Sequence, residues 1–168
     1  MILKSIYILL SLLFLSFSVM AESQYCPFKT GSEPDGFRGI KWGTDIATLK
    51  KQQFIEVESH GDVKFYEKKK EHKKIGNIQL SSIKYGFWKG NFYSVRVDLI
   101  GFDNNNLLTF LKEKYGGCNE KSLGRGMYFI SWKADISEVS FMYGLDKGRL
   151  MLLSNSMTDQ VEQYLKRR

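Results

Sequence analysis

Residue types that could do chemistry are thinly spread along this chain. His60 and His72 are the only histidines, and both sit in polar, charged surroundings: His60 beside Gly61 and Asp62, His72 among lysines. A general base or metal ligand needs a shaped, partly desolvated site, so both read as solvated surface residues. Six carboxylates, Asp98, Asp103, Glu113, Asp135, Glu138 and Asp146, could pair across a cleft, but no spacing singles out two of them for acid–base work. Asp103 reads as a helix cap and Asp146 as a turn residue. Gly124-Arg125-Gly126 is too short for a phosphate loop and precedes a strand-like run, which makes it a turn. No nucleophile-elbow motif is present. The sequence therefore assigns no catalytic residue, no metal site and no cofactor.

Two groups could instead make contacts. Phe87, Trp88, Phe92 and Tyr93 flank one hairpin, with Lys84, Lys89 and Arg96 nearby. Alternation sends some of these rings to the core. An outer face holding Trp88 and Phe92 with Arg96 would be a contact surface for a protein, a sugar or an interfacial lipid. The candidate patch is Phe87, Trp88, Lys89, Phe92 and Arg96, with hairpin packing as the alternative. The second group is the run Glu67-Lys68-Lys69-Lys70-Glu71-His72-Lys73-Lys74. It reads as a solvated connection, with an anionic lipid or glycan as the alternative partner.

The elements that would position these groups follow from turn chemistry and periodicity. Pro27, Gly31 and Pro34-Asp35-Gly36 make residues 22–36 irregular. Thr44 is placed to cap a short helix that buries Ile46 and Leu49 and ends near Gln53. Strands are expected over 54–57, 63–69 and 78–88. After the Lys89-Gly90-Asn91 turn, Tyr93, Val95, Val97 and Leu99 alternate with Phe92, Ser94, Arg96 and Asp98, the pattern of a half-buried strand. Leu107, Leu108, Leu111 and Tyr115 make one helical stripe, ended by Gly116 and Gly117. Strands over 127–133, 136–143 and 149–154 follow, and Thr158 would cap a last helix holding Val161, Tyr164 and Leu165. Trp42 and Trp132 read as core anchors. The order of helix, strands, helix, strands, helix, joined mostly by tight turns, predicts an α+β fold: antiparallel sheet with short helices on one face, built as two helix-plus-meander units. Residues 37–168 form its single domain.

The first twenty-one residues read as a secretory signal peptide: Lys4, an apolar run from Ile6 to Val19, and small residues at Val19 and Ala21. Cleavage before Glu22 is expected, with delivery to the periplasm or beyond. The whole chain carries a net charge of +7, which fits anionic partners and excludes none. Nucleic acid is not expected as a partner outside the cytoplasm. Cys26 and Cys118 are the only cysteines, and an even pair in an oxidising compartment predicts a disulfide.

The opening Phe37-Arg38-Gly39-Ile40-Lys41-Trp42-Gly43-Thr44, the helix end Lys114-Tyr115-Gly116 and the strand bearing Trp132 resemble small exported bacterial proteins of unknown function. That resemblance implies a periplasmic location and no known activity. A weaker similarity, in its Trp-bearing strand and hairpin beside short helices, is to outer-membrane assembly lipoproteins of the SmpA/OmlA type. This chain lacks their lipid-attachment cysteine. The functional expectation is an exported, non-catalytic binding module whose partner is a protein of the cell envelope. A small hydrolase or reactive-thiol protein, and an inhibitor or immunity protein, are the alternatives. Export is checked by the mass of the secreted product from a bacterial host: it should begin at Glu22, and a product retaining Met1 removes the compartment assignment.

Overall fold

Tight turns divide most of this chain into hairpins, and the hairpins line up in one sheet. The computed structural model describes residues 25–49, 53–101 and 103–167. The expected leader, and residues 50–52 of the expected first helix, lie outside that range.

β1 (Gly36–Phe37) and β2 (Ile40–Lys41) pair across Arg38 (φ 49°) and Gly39 (φ 80°), the two positive-φ positions of a tight hairpin turn. The helix expected at 44–53 is a single 3-10 turn, Ile46–Thr48, among the described residues. Asp45 caps it, accepting from the Ala47 amide at 2.8 Å. Thr44 lies one residue outside the cap: its hydroxyl donates to the Lys41 carbonyl at 2.7 Å, and its own carbonyl accepts from the Phe92 amide at 2.9 Å. Then come β3 (Phe54–His60) and β4 (Val63–Lys68), a short hairpin of β5 (Lys74–Ile75) and β6 (Ile78–Gln79), and β7 (Ser82–Trp88) with β8 (Asn91–Ile100). Helix α1 (Asn104–Tyr115) leads into β9 (Lys121–Gly124), β10 (Met127–Lys133), β11 (Ser137–Tyr143) and β12 (Lys147–Ser154), and the chain closes with α2 (Asn155–Lys166). Strand β9 was not expected. Helix α2 begins before Thr158, whose hydroxyl donates back to the Ser154 carbonyl at 2.7 Å from inside the first turn.

The fold is α+β. Eight strands form an antiparallel sheet in the order β3-β4-β7-β8-β12-β11-β10-β9. Two four-stranded meanders thus meet at their last strands, β8 and β12, where Val97 faces Leu150 and Val95 faces Leu152. Each meander is preceded by a helical segment, the 3-10 turn or α1, and both lie on the same face of the sheet. Leu107, Leu111 and Tyr115 of α1 pack there on Val97, Phe141 and Trp132, with Ile46 and Leu49 at the margin. Trp132 is fully buried, and its indole donates to the Gly116 carbonyl at 3.0 Å. Asn104, at the start of α1, donates to the Gly144 and Lys147 carbonyls and clamps the helix onto the β11–β12 turn. Its amide oxygen occupies the space a side chain at Gly148 would fill.

Helix α2 packs on the reverse face. Its Val161 joins Val63 and Tyr93 in a second, smaller cluster with Trp88 and Tyr164 at its edge. In the ladder Val63 pairs with Trp88 while its neighbour Lys64 pairs with the core residue Phe87, so the two clusters lie on opposite sides of the same strands.

The N-terminal segment straps across this frame. Cys26 adds a parallel bridge beside Trp132, with its amide 2.9 Å from the Ser131 carbonyl. Its sulfur is bonded to Cys118, just beyond α1, across a sequence separation of 92 residues. Both cysteines are consumed, so the reactive-thiol alternative has no free thiol in this fold. At the other end of the strap Arg38 salt-bridges Glu71 and donates to the His72 carbonyl at 2.8 Å and the Lys74 carbonyl at 2.5 Å. Tyr85 donates its phenol to the same carboxylate at 2.9 Å. Burial, and then the nearby Glu71 charge, push the Tyr85 phenol far up, so it stays a donor. Replacing Cys26 and Cys118 by alanine should lower stability by roughly 2–5 kcal/mol, read as an earlier urea midpoint that matches the reduced parent protein. An unchanged midpoint would show that the strap is held without the bond.

Candidate functional site

The reverse face of the sheet is covered by α2 at one end only. Beyond the helix, β3, β7, β8 and β12 turn charged side chains outward in register. The spacing Glu58-x-His60 puts both side chains on one side of β3, and His60 Nε2 lies 3.0 Å from Glu58 Oε1. The other Glu58 oxygen accepts from Arg96 of β8 at 2.7 Å and Lys84 of β7 at 3.3 Å. Next along β8, Asp98 accepts from Arg149 Nε of β12 at 2.7 Å and from the Ser82 hydroxyl at 3.0 Å. Four strands therefore share one ladder of paired charges, with β4 lying between two of them.

Its middle is built on an aromatic ring. Phe65 of β4 faces Gly86 of β7, and a Cβ on Gly86 would sit about 3 Å from the Phe65 ring and against the Ser94 hydroxyl. Glycine thus lets the ring lie down on the sheet. The Arg96 guanidinium stacks above it, 5.3 Å from the centroid, which fixes the fork that reaches Glu58. The hydrogen bond from His60, and then those from Arg96 and Lys84, hold the Glu58 carboxyl down at about 2 against an ordinary 4.5. Towards the end of the face away from α2 lies a cleft of about 470 Å³, floored by Met127, Met142 and Ile100 and rimmed by Asp98, Lys147 and Arg149.

The predicted contact patch is divided by the sheet. Phe87 and Phe92 are 1% and 0% exposed and belong to the main core, so they present no surface. The cause is a bulge: Gly86 pairs with Ser94 but Phe87 pairs with Phe92, leaving Tyr93 as an extra residue. Phe92 and Val95 consequently share the core side, and Tyr93 turns to the reverse face. Trp88, Lys89 and Arg96 do share the reverse face and its rim. Lys89 Nζ lies 4.9 Å from the Trp88 ring, and Tyr164 of α2 packs at 6.4 Å on the other contact. Glu58, Phe65 and Arg149 were not singled out from sequence. The i, i+2 spacing of Glu58 and His60 was the one available signal for them.

Trp88 Nε1, Arg96 Nε and the Ser94 hydroxyl on this face lack hydrogen-bond partners among the described residues. Trp88 Nε1 is shut from solvent without a partner. Arg96 Nε is likewise enclosed, and the Asp98 carboxylate oxygen beside it is 3.9 Å away, beyond hydrogen-bond reach. A buried donor left unmade costs about 1–3 kcal/mol. Both histidines are exposed, as expected. Among the described residues no group of three or more His, Cys, Asp or Glu side chains is arranged to hold a metal ion, and no helix is long and apolar enough to cross a membrane.

What fold and site define together is a class of antiparallel α+β sheet protein with one packed face and one half-covered, charge-paired face. Comparisons of the chain with family models, curated proteins and solved structures gave no match.

The depressed Glu58 carboxyl carries a pH signature. A group whose folded value lies below its unfolded value stabilises the fold at pH above about 4.5, and that contribution is lost as pH falls towards about 2. Glu58→Gln should therefore lower stability at neutral pH, flatten the acid limb in this window and converge with the parent as pH falls towards about 2. Urea midpoints measured from pH 7 down to pH 2 check this. Parallel acid limbs for parent and variant would remove the ladder as a coupled unit.

Proposed function

We propose that this chain is an exported, non-catalytic binding module of the bacterial envelope that holds a protein partner on the reverse face of its sheet. The observation that carries this reading is the Phe65–Arg96–Glu58 stack, which holds charged groups in one geometry on the part of the face that α2 leaves open. A partner would meet the exposed parts of Arg96, Lys84 and Glu58 as polar contacts, with Phe65 and Trp88 as apolar anchors. Trp and Arg in partly desolvated settings are the residue types that dominate contact energies. The paired ladder adds orientation, since fixed opposite charges select partners and register more than they add affinity.

Three features support the envelope setting. The leader-like N-terminus and the resemblance to small exported proteins point to export, and the Cys26–Cys118 bond suits an oxidising compartment. The Met127, Met142 and Ile100 floor extends the contact surface with adaptable apolar groups.

The test is co-purification of the tagged, secreted chain from the envelope of its host, followed by titration with the captured protein. Trp88→Ala and Arg96→Ala should each weaken the complex by about 2 kcal/mol or more, roughly thirtyfold, while a surface substitution such as Glu113→Gln leaves it unchanged. Full-strength binding by both variants would remove this face as the contact site. Turnover of an envelope polymer at an ordinary enzymatic rate would replace the reading with catalysis.

A further inference from the structure

The lysine run that reads in sequence as a solvated connection is held rigidly in the fold, and its charge is not neutralised. Of its two carboxylates, Glu71 turns inward, where Arg38 and Tyr85 grip it, and only 8% of its side chain is exposed. Glu67 is paired with Lys73 at 3.7 Å. Lys68, Lys69, Lys70 and Lys74 are left without an acidic partner among the described residues. The turn is pinned at both ends. The Lys69 amide donates to the Gln53 carbonyl at 2.6 Å and the Glu71 amide to the Lys68 carbonyl at 3.3 Å. Arg38 holds the backbone at His72 and Lys74. Lys70 itself sits at φ 56°, a left-handed position that glycine would fill with less strain. An open hollow of about 710 Å³ lies between Gln53 and Lys68, Lys69 and Lys70.

Beside this turn runs the outermost strand of the sheet. β3 pairs only with β4, and it exposes two β-branched residues, Ile55 at 49% and Val57 at 45%. Ile55 stands opposite Glu67 in the ladder, one residue from Lys68. The other sheet edge is treated differently: β9 has four residues, and Cys26 covers part of β10. An exposed edge with half-bare apolar residues is an aggregation hazard that folds normally blunt.

We propose that the Lys68–Lys70 turn, together with Ile55 and Val57, is a docking surface for an anionic phospholipid bilayer. Lysines clustered with apolar side chains fit a charged interface, where the ammonium groups meet headgroup phosphates and the apolar groups enter the boundary region. A soluble polyanion matches the lysines but leaves Ile55 and Val57 in water. This surface is separate from the Trp88–Arg96 face and does not depend on it.

The experiment is co-sedimentation of the secreted protein, its N-terminus fixed by mass, with vesicles of phosphatidylcholine alone and of an equal mixture with phosphatidylglycerol. Partitioning into the mixed vesicles, weakened by salt, is expected, with none into the neutral ones. The variant K68Q/K69Q/K70Q should lose on the order of a hundredfold in partitioning, because each lysine near such a surface contributes comparably. The charge-matched K29Q/K121Q/K166Q should stay near the parent, and Ile55→Ser with Val57→Ser should weaken binding further at raised salt. Thermal melts show whether each variant is folded. Absence of binding to mixed vesicles, equal binding to neutral ones, or equal losses in the two lysine variants would overturn the proposal. Competition by dextran sulfate combined with indifference to the Ile55 and Val57 changes would assign the turn to a soluble polyanion instead. Trp88→Ala and Arg96→Ala should leave the partitioning intact, so the two surfaces succeed or fail separately.

Discussion

The arrangement of this molecule depends on one extra residue in β8. Without the bulge at Tyr93, strict alternation would carry Phe92 to the side of Arg96 and bury Tyr93 with Val95, Val97 and Leu99. With it, Phe92 stacks into the main core against Trp42, 4.9 Å away, and Tyr93 crosses to meet Val63 and Val161. Two consequences follow from that crossing. The main core gains the ring that anchors the N-terminal segment to the sheet. The reverse face gains the apolar seat on which α2 lands, and so acquires one covered end and one open end. A bulge at a strand end re-aims side chains at the cost of a ladder hydrogen bond. On the other edge of β8, where β12 has already ended, residues 43–46 take over the pairing with backbone bonds to Gly90 and Phe92.

The N-terminal segment is integrated by three different kinds of interaction, each suited to its place. At the β10 edge a covalent bond holds Cys26, where a single parallel bridge would be weak. In the middle, Trp42 is held by ring packing on Phe92 and by its indole donating to the Pro34 carbonyl at 3.1 Å. At the β5–β6 hairpin the contact is ionic. Removing either partner of the Arg38–Glu71 pair would leave a largely enclosed charge with no partner, which costs more than the pair itself contributes. Tyr85 secures this arrangement from the core side as a phenol that does not ionise. The ion pair therefore specifies where the hairpin sits more than it adds stability.

Much of this architecture was legible in the residues. The alternation from Val95 to Leu99, the Leu107–Leu111–Tyr115 stripe and the Lys89-Gly90 turn gave strand, helix and hairpin, because each is a local pattern tied to a face that must be buried. The disulfide followed from counting cysteines. What was not legible is long-range. Among the described residues the first helix is one turn, since Phe92 recruits Thr44 before it and Leu49 is already extended after it, and no local signal announces either. β9 was missed because Lys121–Gly124 is exposed throughout and has no apolar alternation to read. The contact patch was misjudged at Phe87 and Phe92 because a bulge changes register without leaving a composition signature. The charged ladder needs Glu58, Lys84, Arg96, Asp98 and Arg149 from four strands, and their meeting depends on strand order, which sequence periodicity does not contain.

That ladder contributes little to stability, and the physical reason bears on what it is for. Its members are partly exposed, so each pair competes with water and salt and is worth a small fraction of a buried contact. Apolar residues at the same positions would have let α2, or another element of the chain, close the face. Instead Phe65 is laid flat over Gly86, and Arg96 is stacked on it and held at two oxygens' distance from Glu58 and Asp98. Such a constellation spends side-chain freedom in advance of any encounter, and ordering those side chains at the moment of contact would otherwise weaken a complex. The same logic applies at the sheet's outer corner, where Arg38 fixes from within a turn whose lysines point away from the core. In both places buried or half-buried groups hold outward-facing charges in one geometry.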